Sequence, residues 1–451
     1  MEAIDQAFML LSKFAYELRY VDLSDADKSQ LRLLIADYYA AVIAGYRINT
    51  GLNVPLQNLV MEMGGREEST VVFANQRIPA VSAALLHGCY ARGAEMDDGH
   101  RKANAHAYST VMSSVLALAE TLDVTEQDVM TALAVGYEFV LRLGSATMPG
   151  QRNRGFHPTC MAGAVASAVA CAKLMGLELE QYSTVIAAAA LQANGIMISQ
   201  ALGPLGAGKA AQTGVLAAQL VAKGIRGDKN EWKSCAKWFA AVSDTFKASE
   251  ITDGLGERLC LSTGYIKLYP ACRHIHAAID AALALREKFD PFQAQKITVF
   301  LYGKAMQLAG GHIHPQNAAE AKFSTAYAVS CAFLKGRFSL DDLDVENIDP
   351  RISELSDRLE FVLDDSLEDR KTNIRGARIE MVINGKPRVL TVLTPKGDPE
   401  NPVTLDEIRK KMGECAGDML STSAIDDIFV RLTTFGDGRK YEAIKVLGVN
   451  G

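Results

Sequence analysis

The sequence predicts a mainly α protein, an all-helical core domain followed by a smaller α+β domain. Three observations carry this. From residue 1 to about 265 nearly every apolar segment has helical spacing and opens on a helix-start signal. After Lys267 the pattern changes to strand-like runs. The 451 residues also exceed one ordinary core, at about 150 residues per domain. The expected division is a helical domain over 1–266, an α+β domain over 267–397 and a closing segment, 398–451, that returns to the helical core.

The helix starts are read from residues whose side chains satisfy the free amides of a first turn. Ser24 with Asp27 precedes the apolar run from Leu31 to Ile35, and Thr125 with Asp128 precedes Val129, Leu133 and Val140, both as reciprocal capping boxes. Met161 to Ala170 and Ile186 to Ala190 consist almost wholly of small residues, which lets helices approach closely inside a bundle. In the second domain Lys296–Tyr302 is strand-like. Ala377–Ile383 alternates, and Asn384-Gly385 offers a tight turn before Arg388–Leu393, which makes a hairpin. Helical runs over Ala277–Lys288 and Ala318–Leu334 lie between these strands. Pro395, Gly397, Pro399 and Pro402 then punctuate a linker before Thr404-Leu-Asp-Glu407 caps a final helix.

Composition narrows the function classes. Apolar residues at 49% and charged residues at 22% are ordinary for a globular chain. A net charge of −6, without a Lys/Arg cluster of useful length, argues against a nucleic-acid partner. The acidic start Met1-Glu2-Ala3-Ile4-Asp5 is unlike a secretion signal. The longest apolar stretch, Val185 to Leu202, is interrupted by Gln192, Asn194 and Gln200 and reads as a buried helix rather than a membrane span. Eight scattered cysteines without a CxxC pair read as reduced thiols, so a cytoplasmic location is expected and an iron–sulfur cluster is not.

Four segments concentrate chemistry. Glu95-Met-Asp-Asp98-Gly-His100 through His106 gathers three carboxylates and two imidazoles; its bland alternative is a solvated acidic turn at a helix end, and a Mg²⁺, Mn²⁺ or Zn²⁺ site ranks last, so no metal is expected. His157 in Gly155-Phe-His-Pro158 stands beside the N-terminus of the small-residue helix, where a neutral imidazole and an anionic ligand are both favoured, or where it simply caps the helix. Lys267-Leu-Tyr-Pro-Ala-Cys-Arg-His274-Ile-His276 gathers a lysine, an arginine and two histidines where the pattern changes. Arg273 suits a carboxylate through paired hydrogen bonds, and Lys267 suits a base or a partner for an enolate. The spacing of Cys272, His274 and His276 is a weak zinc signal, because residues two apart diverge on a helix. Gly203-Pro-Leu-Gly-Ala-Gly-Lys209 has phosphate-loop spacing, but Ala210 stands where a hydroxyl would reach Mg²⁺ and no strand precedes it. It reads as a glycine-rich helix connection whose Lys209 meets a carboxylate. His312 and His314 fall in a loop, and Tyr327 on a helix is by default a core or rim aromatic.

Taken in order, Glu95-Met-Asp-Asp98 with His106, Gly155-Phe-His-Pro158, Lys267-Leu-Tyr-Pro270 and Ala321-Lys-Phe-Ser324 with Tyr327 resemble the MmgE/PrpD family over nearly the whole chain. That family includes 2-methylcitrate dehydratase, cis-aconitate decarboxylase and iminodisuccinate epimerase. The resemblance implies a helical domain with an α+β lid, a homodimer, and removal of a proton next to a carboxylate of a small polycarboxylic acid without a cofactor. It implies active-site roles for His106, His157, Lys267 and Tyr327 and sets Glu95 where the family commonly has an aspartate; together with the local readings above, the expected substrate contacts are Glu95, Asp98, Arg273, His274 and Lys209. Dehydration is the first expectation; epimerisation, decarboxylation and a non-catalytic helical interaction protein are the alternatives. Gly99, near a usual threonine, and Gly203 with Gly206, in a usual Lys and His region, depart from the family pattern.

Overall fold

The computed structural model describes residues 2–48, 50–199, 201–228, 232–369 and 374–445. They fall into two compact units. The larger comprises Met1–Gly93, Asp97–Tyr265 and Leu405–Gly451; the smaller comprises Ala94–Met96 and Ile266–Thr404.

The larger unit begins with helices α1 (Glu2–Glu17), α2 (Asp25–Ile48) and α3 (Thr50–Met63), then a two-rung hairpin of β1 (Ser69–Thr70) and β2 (Arg77–Ile78), which helical spacing did not announce. There follow α4 (Ala80–Gly93), α5 (Tyr108–Ala119), α6 (Glu126–Thr147), a single turn α7 (Gly150–Asn153), α8 (Pro158–Leu174), α9 (Leu179–Gln192), α10 (Gly203–Ala222), α11 (Trp232–Val242) and α12 (Ala248–Thr252). The predicted capping boxes form. The amide of Asp27 donates to Ser24 Oγ and that of Ser24 to Asp27, and Thr125 with Asp128 does the same at the start of α6. By length and composition α6 is apolar enough to cross a membrane, and its apolar window is entirely buried within the unit.

Helices α4, α5, α6, α8 and α10 form the middle of this unit, and their small residues permit the contact. A Cβ added at Gly88 on α4 would lie 2.7 Å from Cα of Gly208 on α10, so the two backbones touch where they cross. Gly208 belongs to the stretch read as a loop-like connection. Gly203 to Lys209 is instead the first two turns of α10, and glycine is there for close packing. The expectation of one buried helix over Val185–Leu202 is also overturned. α9 ends at Gln192, residues 193–199 are not helical, and Leu191, Ile198 and Leu202 are exposed. Absence of charge along a chain marks burial only when the segment has a face to bury, and this one ends at a loop; Gln200 lies outside the described residues.

The smaller unit carries a four-stranded sheet in the order β4-β3-β7-β8. Its elements in chain order are α13 (His276–Arg286), β3 (Lys296–Leu301), α14 (Gly303–Ala309), α15 (Ala318–Ala321), α16 (Thr325–Lys335), α17 (Pro350–Asp357), β4 (Leu359–Leu363), β5 (Glu368–Asp369), β6 (Ile374–Arg375), β7 (Ala377–Ile383) and β8 (Lys386–Val392). β7 alternates buried and half-buried residues along its whole length, and its inward face packs against α13. Asn384 and Gly385 both take positive φ, 51° and 70°, the turn that matches strand twist in a two-residue hairpin. β4 pairs parallel to β3, and α14 to α17 make the crossover that a parallel pair requires. After the linker the chain rejoins the larger unit with two helices rather than the single one expected, α18 (Leu405–Ala416) and α19 (Thr422–Thr433). α18 packs on α2, and Glu126 at the head of α6 accepts from the amide of Gly436 at 2.7 Å.

Candidate active site

The larger unit brings His106 and His157 together, with ring centroids 6.1 Å apart. His157 is the N-cap of α8. Pro158 supplies the preset φ of the first turn, and the Thr159 amide donates to His157 Nδ1 at 3.2 Å. An amide can only donate, so Nδ1 carries the lone pair and the neutral ring holds its proton on Nε2. His106 closes the loop between α4 and α5, and its Nδ1 lies 2.5 Å from the carbonyl oxygen of Asp98. A carbonyl can only accept, so here Nδ1 bears the proton and the lone pair of the neutral ring is on Nε2. The two neutral imidazoles therefore differ at Nε2, which carries a lone pair on His106 and a proton on His157. Thr159 ties them together, because its Oγ1 accepts from the amide of His106 at 2.9 Å.

The acidic segment before His106 is not a solvated turn. Asp97 and Asp98 are both buried. Asp97 pairs with Arg92 at 3.1 Å and stands 3.3 Å from His106 Nδ1. Asp98 accepts from the Tyr137 hydroxyl at 3.0 Å and from the Tyr108 amide at 3.3 Å. Burial, then the neighbouring Asp97, push the Asp98 carboxyl well above the usual range, and burial with the nearby aspartates raises the phenols of Tyr108 and Tyr137. Gly99 is explained by packing: a Cβ there would fall 2.3 Å from the ring of Tyr265, which fills the space a larger residue would need. Gly99 and Tyr265 are further held by two backbone hydrogen bonds of 2.9 and 2.7 Å.

In the smaller unit Lys267, a fully buried side chain, pairs with Glu95 at 2.9 Å. Glu95 has a φ of 56°, a left-handed conformation that costs a non-glycine residue on the order of 1–2 kcal/mol and that recurs at functional sites. Arg273 is buried and spends its guanidinium on Asp398 and on the carbonyls of Pro395 and Lys396, so it fastens the linker to the turn before α13. His274 shares a hydrogen bond with the buried hydroxyl of Tyr302. Both nitrogens of His276 are engaged, Nδ1 by Arg273 and Nε2 by the carbonyl of Ala271, so the Cys272, His274, His276 spacing does not make a zinc centre. Tyr327 donates to the carbonyl of Asp342 at 2.7 Å and lines a cavity of about 400 Å³ with His314, Gln316, Glu346, Ser353 and Ser356. Neither Lys267 nor Arg273 lines that cavity. On the larger unit Lys209 projects from α10 and donates to Gln212, one turn on, in an exposed position.

Sequence reasoning passed over Asp97, Arg92 and Thr159. Asp97 stood inside the quoted acidic segment, but nothing local showed that it rather than Asp98 turns its carboxylate to His106. Thr159 carried no sequence signal beyond its place two residues after His157.

The fold and these groups define a class: a helical unit presenting an acceptor and a donor imidazole, joined in one chain to an α+β unit with a buried lysine–glutamate pair. The MmgE/PrpD N-terminal domain matches residues 10–251 and the MmgE/PrpD C-terminal domain matches residues 269–433. The chain belongs to the MmgE/PrpD family. It is similar to a cis-aconitate decarboxylase-like protein of Aspergillus oryzae, 27% identical over 389 residues that cover 80% of each chain. It is also similar to cis-aconitate decarboxylase of Aspergillus terreus, 24% identical over 88% of this chain and 86% of that one. The human cis-aconitate decarboxylase is 25% identical over 63% of this chain and 62% of its own length.

Proposed function

We propose that this protein is a lyase that decarboxylates a small unsaturated polycarboxylic acid of the cis-aconitate type. The reading is carried by the opposed tautomers of His106 and His157, since the chemistry needs one group that moves a proton and another that donates a hydrogen bond to carboxylate oxygen. The names of the relatives support decarboxylation over the dehydration that sequence reasoning placed first.

In such a reaction the bond from carbon to a carboxylate breaks and CO₂ leaves. The electron pair moves through the adjacent double bond, and the far carbon takes up a proton. We assign proton carriage to His106 Nε2, with Asp97 beside Nδ1 helping to bear the positive charge of the protonated ring. We assign the N–H donor role to His157. Within the smaller unit we assign Lys267, held in place by Glu95, as a cation able to bind a carboxylate. Tyr327 receives no proton-transfer role, because its hydroxyl donates to the carbonyl of Asp342. Dehydration of a hydroxy-polycarboxylate is the second reading, favoured by the same acceptor and donor pair, which matches a base for the α-proton and an acid for the departing hydroxyl.

The purified chain is incubated separately with cis-aconitate and with 2-methylcitrate or citrate, following CO₂ release and the ultraviolet absorbance of the conjugated alkene. CO₂ release with loss of absorbance from cis-aconitate, abolished in H106Q, is the expected result. Gain of absorbance from a hydroxy acid without CO₂ establishes the dehydratase instead. Turnover unaffected in both H106Q and H157N overturns the site.

A further inference from the structure

The larger unit contains a buried polar chain that the mechanism above does not use. Lys411, on α18, contacts Asp37 on α2 at 2.5 Å, and the two side chains are 2% and 0% exposed. The other carboxylate oxygen of Asp37 accepts from the hydroxyl of Tyr108 at 2.9 Å. Tyr108 opens α5 two residues after His106, and its amide donates to the carboxylate of Asp98, whose carbonyl oxygen receives the proton of His106 Nδ1. Burial raises the Asp37 carboxyl against the pull of the ammonium, so an unpaired Asp37 would favour its neutral form.

We propose that Lys411 is a positioning residue for His106, acting through Asp37 and Tyr108 to fix the loop that holds the imidazole in its Nδ1–H form. The inference rests on the reading of His106 as the proton carrier. The physical argument is one of constraint. A phenol anchored at its ring end to a buried ion pair cannot rotate or slide without breaking a hydrogen bond that burial makes costly to lose. Tyr108 therefore fixes the register of the first turn of α5, and the two-residue tether to His106 passes that register on. Through its amide the same residue helps orient Asp98, which Tyr137 holds from α6. The charged and titratable groups around the imidazole include Asp97 with Arg92 behind it, Asp98, and His157 on α8. Asp37 links α18 to this group through Tyr108.

Lys411→Met alone strands a buried carboxylate, so the informative variants are D37N/K411M, which removes both charges, Y108F, which cuts the link but spares the pair, and the triple combination. The first readout is the ring ¹⁵N spectrum of His106 in the full-length protein. The parent shows one tautomer with the proton on Nδ1, and each variant shows a mixture of tautomers while its helical circular dichroism is unchanged. The second is steady-state kinetics on cis-aconitate: kcat falls about 10- to 100-fold, the loss expected of an imidazole displaced by an ångström or so, with KM nearly constant. The triple variant is no worse than the worse of the other two, because all act through one path. An unchanged His106 spectrum in folded D37N/K411M and Y108F overturns the proposal, as do losses that multiply in the triple variant. If the parent turns over no polycarboxylate, the functional reading has failed and the ¹⁵N spectra alone decide the positioning role.

Discussion

His87 provides a quantitative check on how the helical unit responds to acid. It lies on α4 and is buried, and its Nε2 accepts from the amide of Val72 at 3.2 Å. Protonating Nε2 breaks that hydrogen bond and places a charge in the core, so burial lowers the imidazole from 6.5 to about 4. The folded state therefore binds this proton only near pH 4, whereas the unfolded chain binds it near pH 6.5. Between those values the unfolded state holds more protons, so stability is fully present above about pH 6.5 and falls as the pH drops through the window. The difference of 6.5 − 4 = 2.5 units, at 1.36 kcal/mol each, amounts to about 3 kcal/mol. His87→Gln keeps an acceptor for the Val72 amide and removes the titration. In denaturant unfolding at pH 7 and pH 4.5, the parent is expected to lose about 2–3 kcal/mol more than the variant on acidification. If the two units unfold in separate transitions, the difference belongs to the transition of the helical one. Equal losses in parent and variant would refute the burial argument.

Three further outcomes follow from the site. His157→Asn retains an N-cap acceptor for the Thr159 amide, so thermal stability stays within about 1 kcal/mol while the loss of the Nε2–H donor lowers kcat by about 10²- to 10⁴-fold, as read from melting curves and kinetics on one preparation. Thr159→Val deletes the acceptor for the His106 amide with little change of volume. It is expected to reduce kcat about 10-fold or more and to leave secondary structure intact by circular dichroism. Gly99→Thr drives a Cβ against the Tyr265 ring and costs about 1–3 kcal/mol by chemical denaturation; adding Tyr265→Ala relieves the clash, so the double variant is less destabilised than the two single changes summed.

The features legible in the sequence are those whose partners lie close along the chain. Ser24 caps with Asp27 and Thr125 with Asp128, three residues apart, and His157-Pro158 starts α8 within one turn. Asn384-Gly385 turns a hairpin between adjacent strands. The change from helical to alternating spacing near Lys267 announced the mainly α fold with its smaller α+β part, because side-chain period follows backbone geometry residue by residue.

Other features required the folded chain. β4 is five residues long and pairs in parallel with a strand some sixty residues earlier, so no local turn marks it. The glycines of 203–208 satisfy a loop pattern as well as a helix crossing, and only the approach of Gly88 decides for the crossing. Thr159 reaches His106 across 53 residues of sequence, and Lys411 reaches Asp37 across 374. The sequence by itself determined the helices that open on a local cap and the hairpin that turns at Asn384-Gly385, because those elements come from interactions within a turn or two. Tertiary structure decided which nitrogen of each imidazole bears the proton and which carboxylate faces it. Such assignments depend on hydrogen bonds between groups that meet only after the helices have packed.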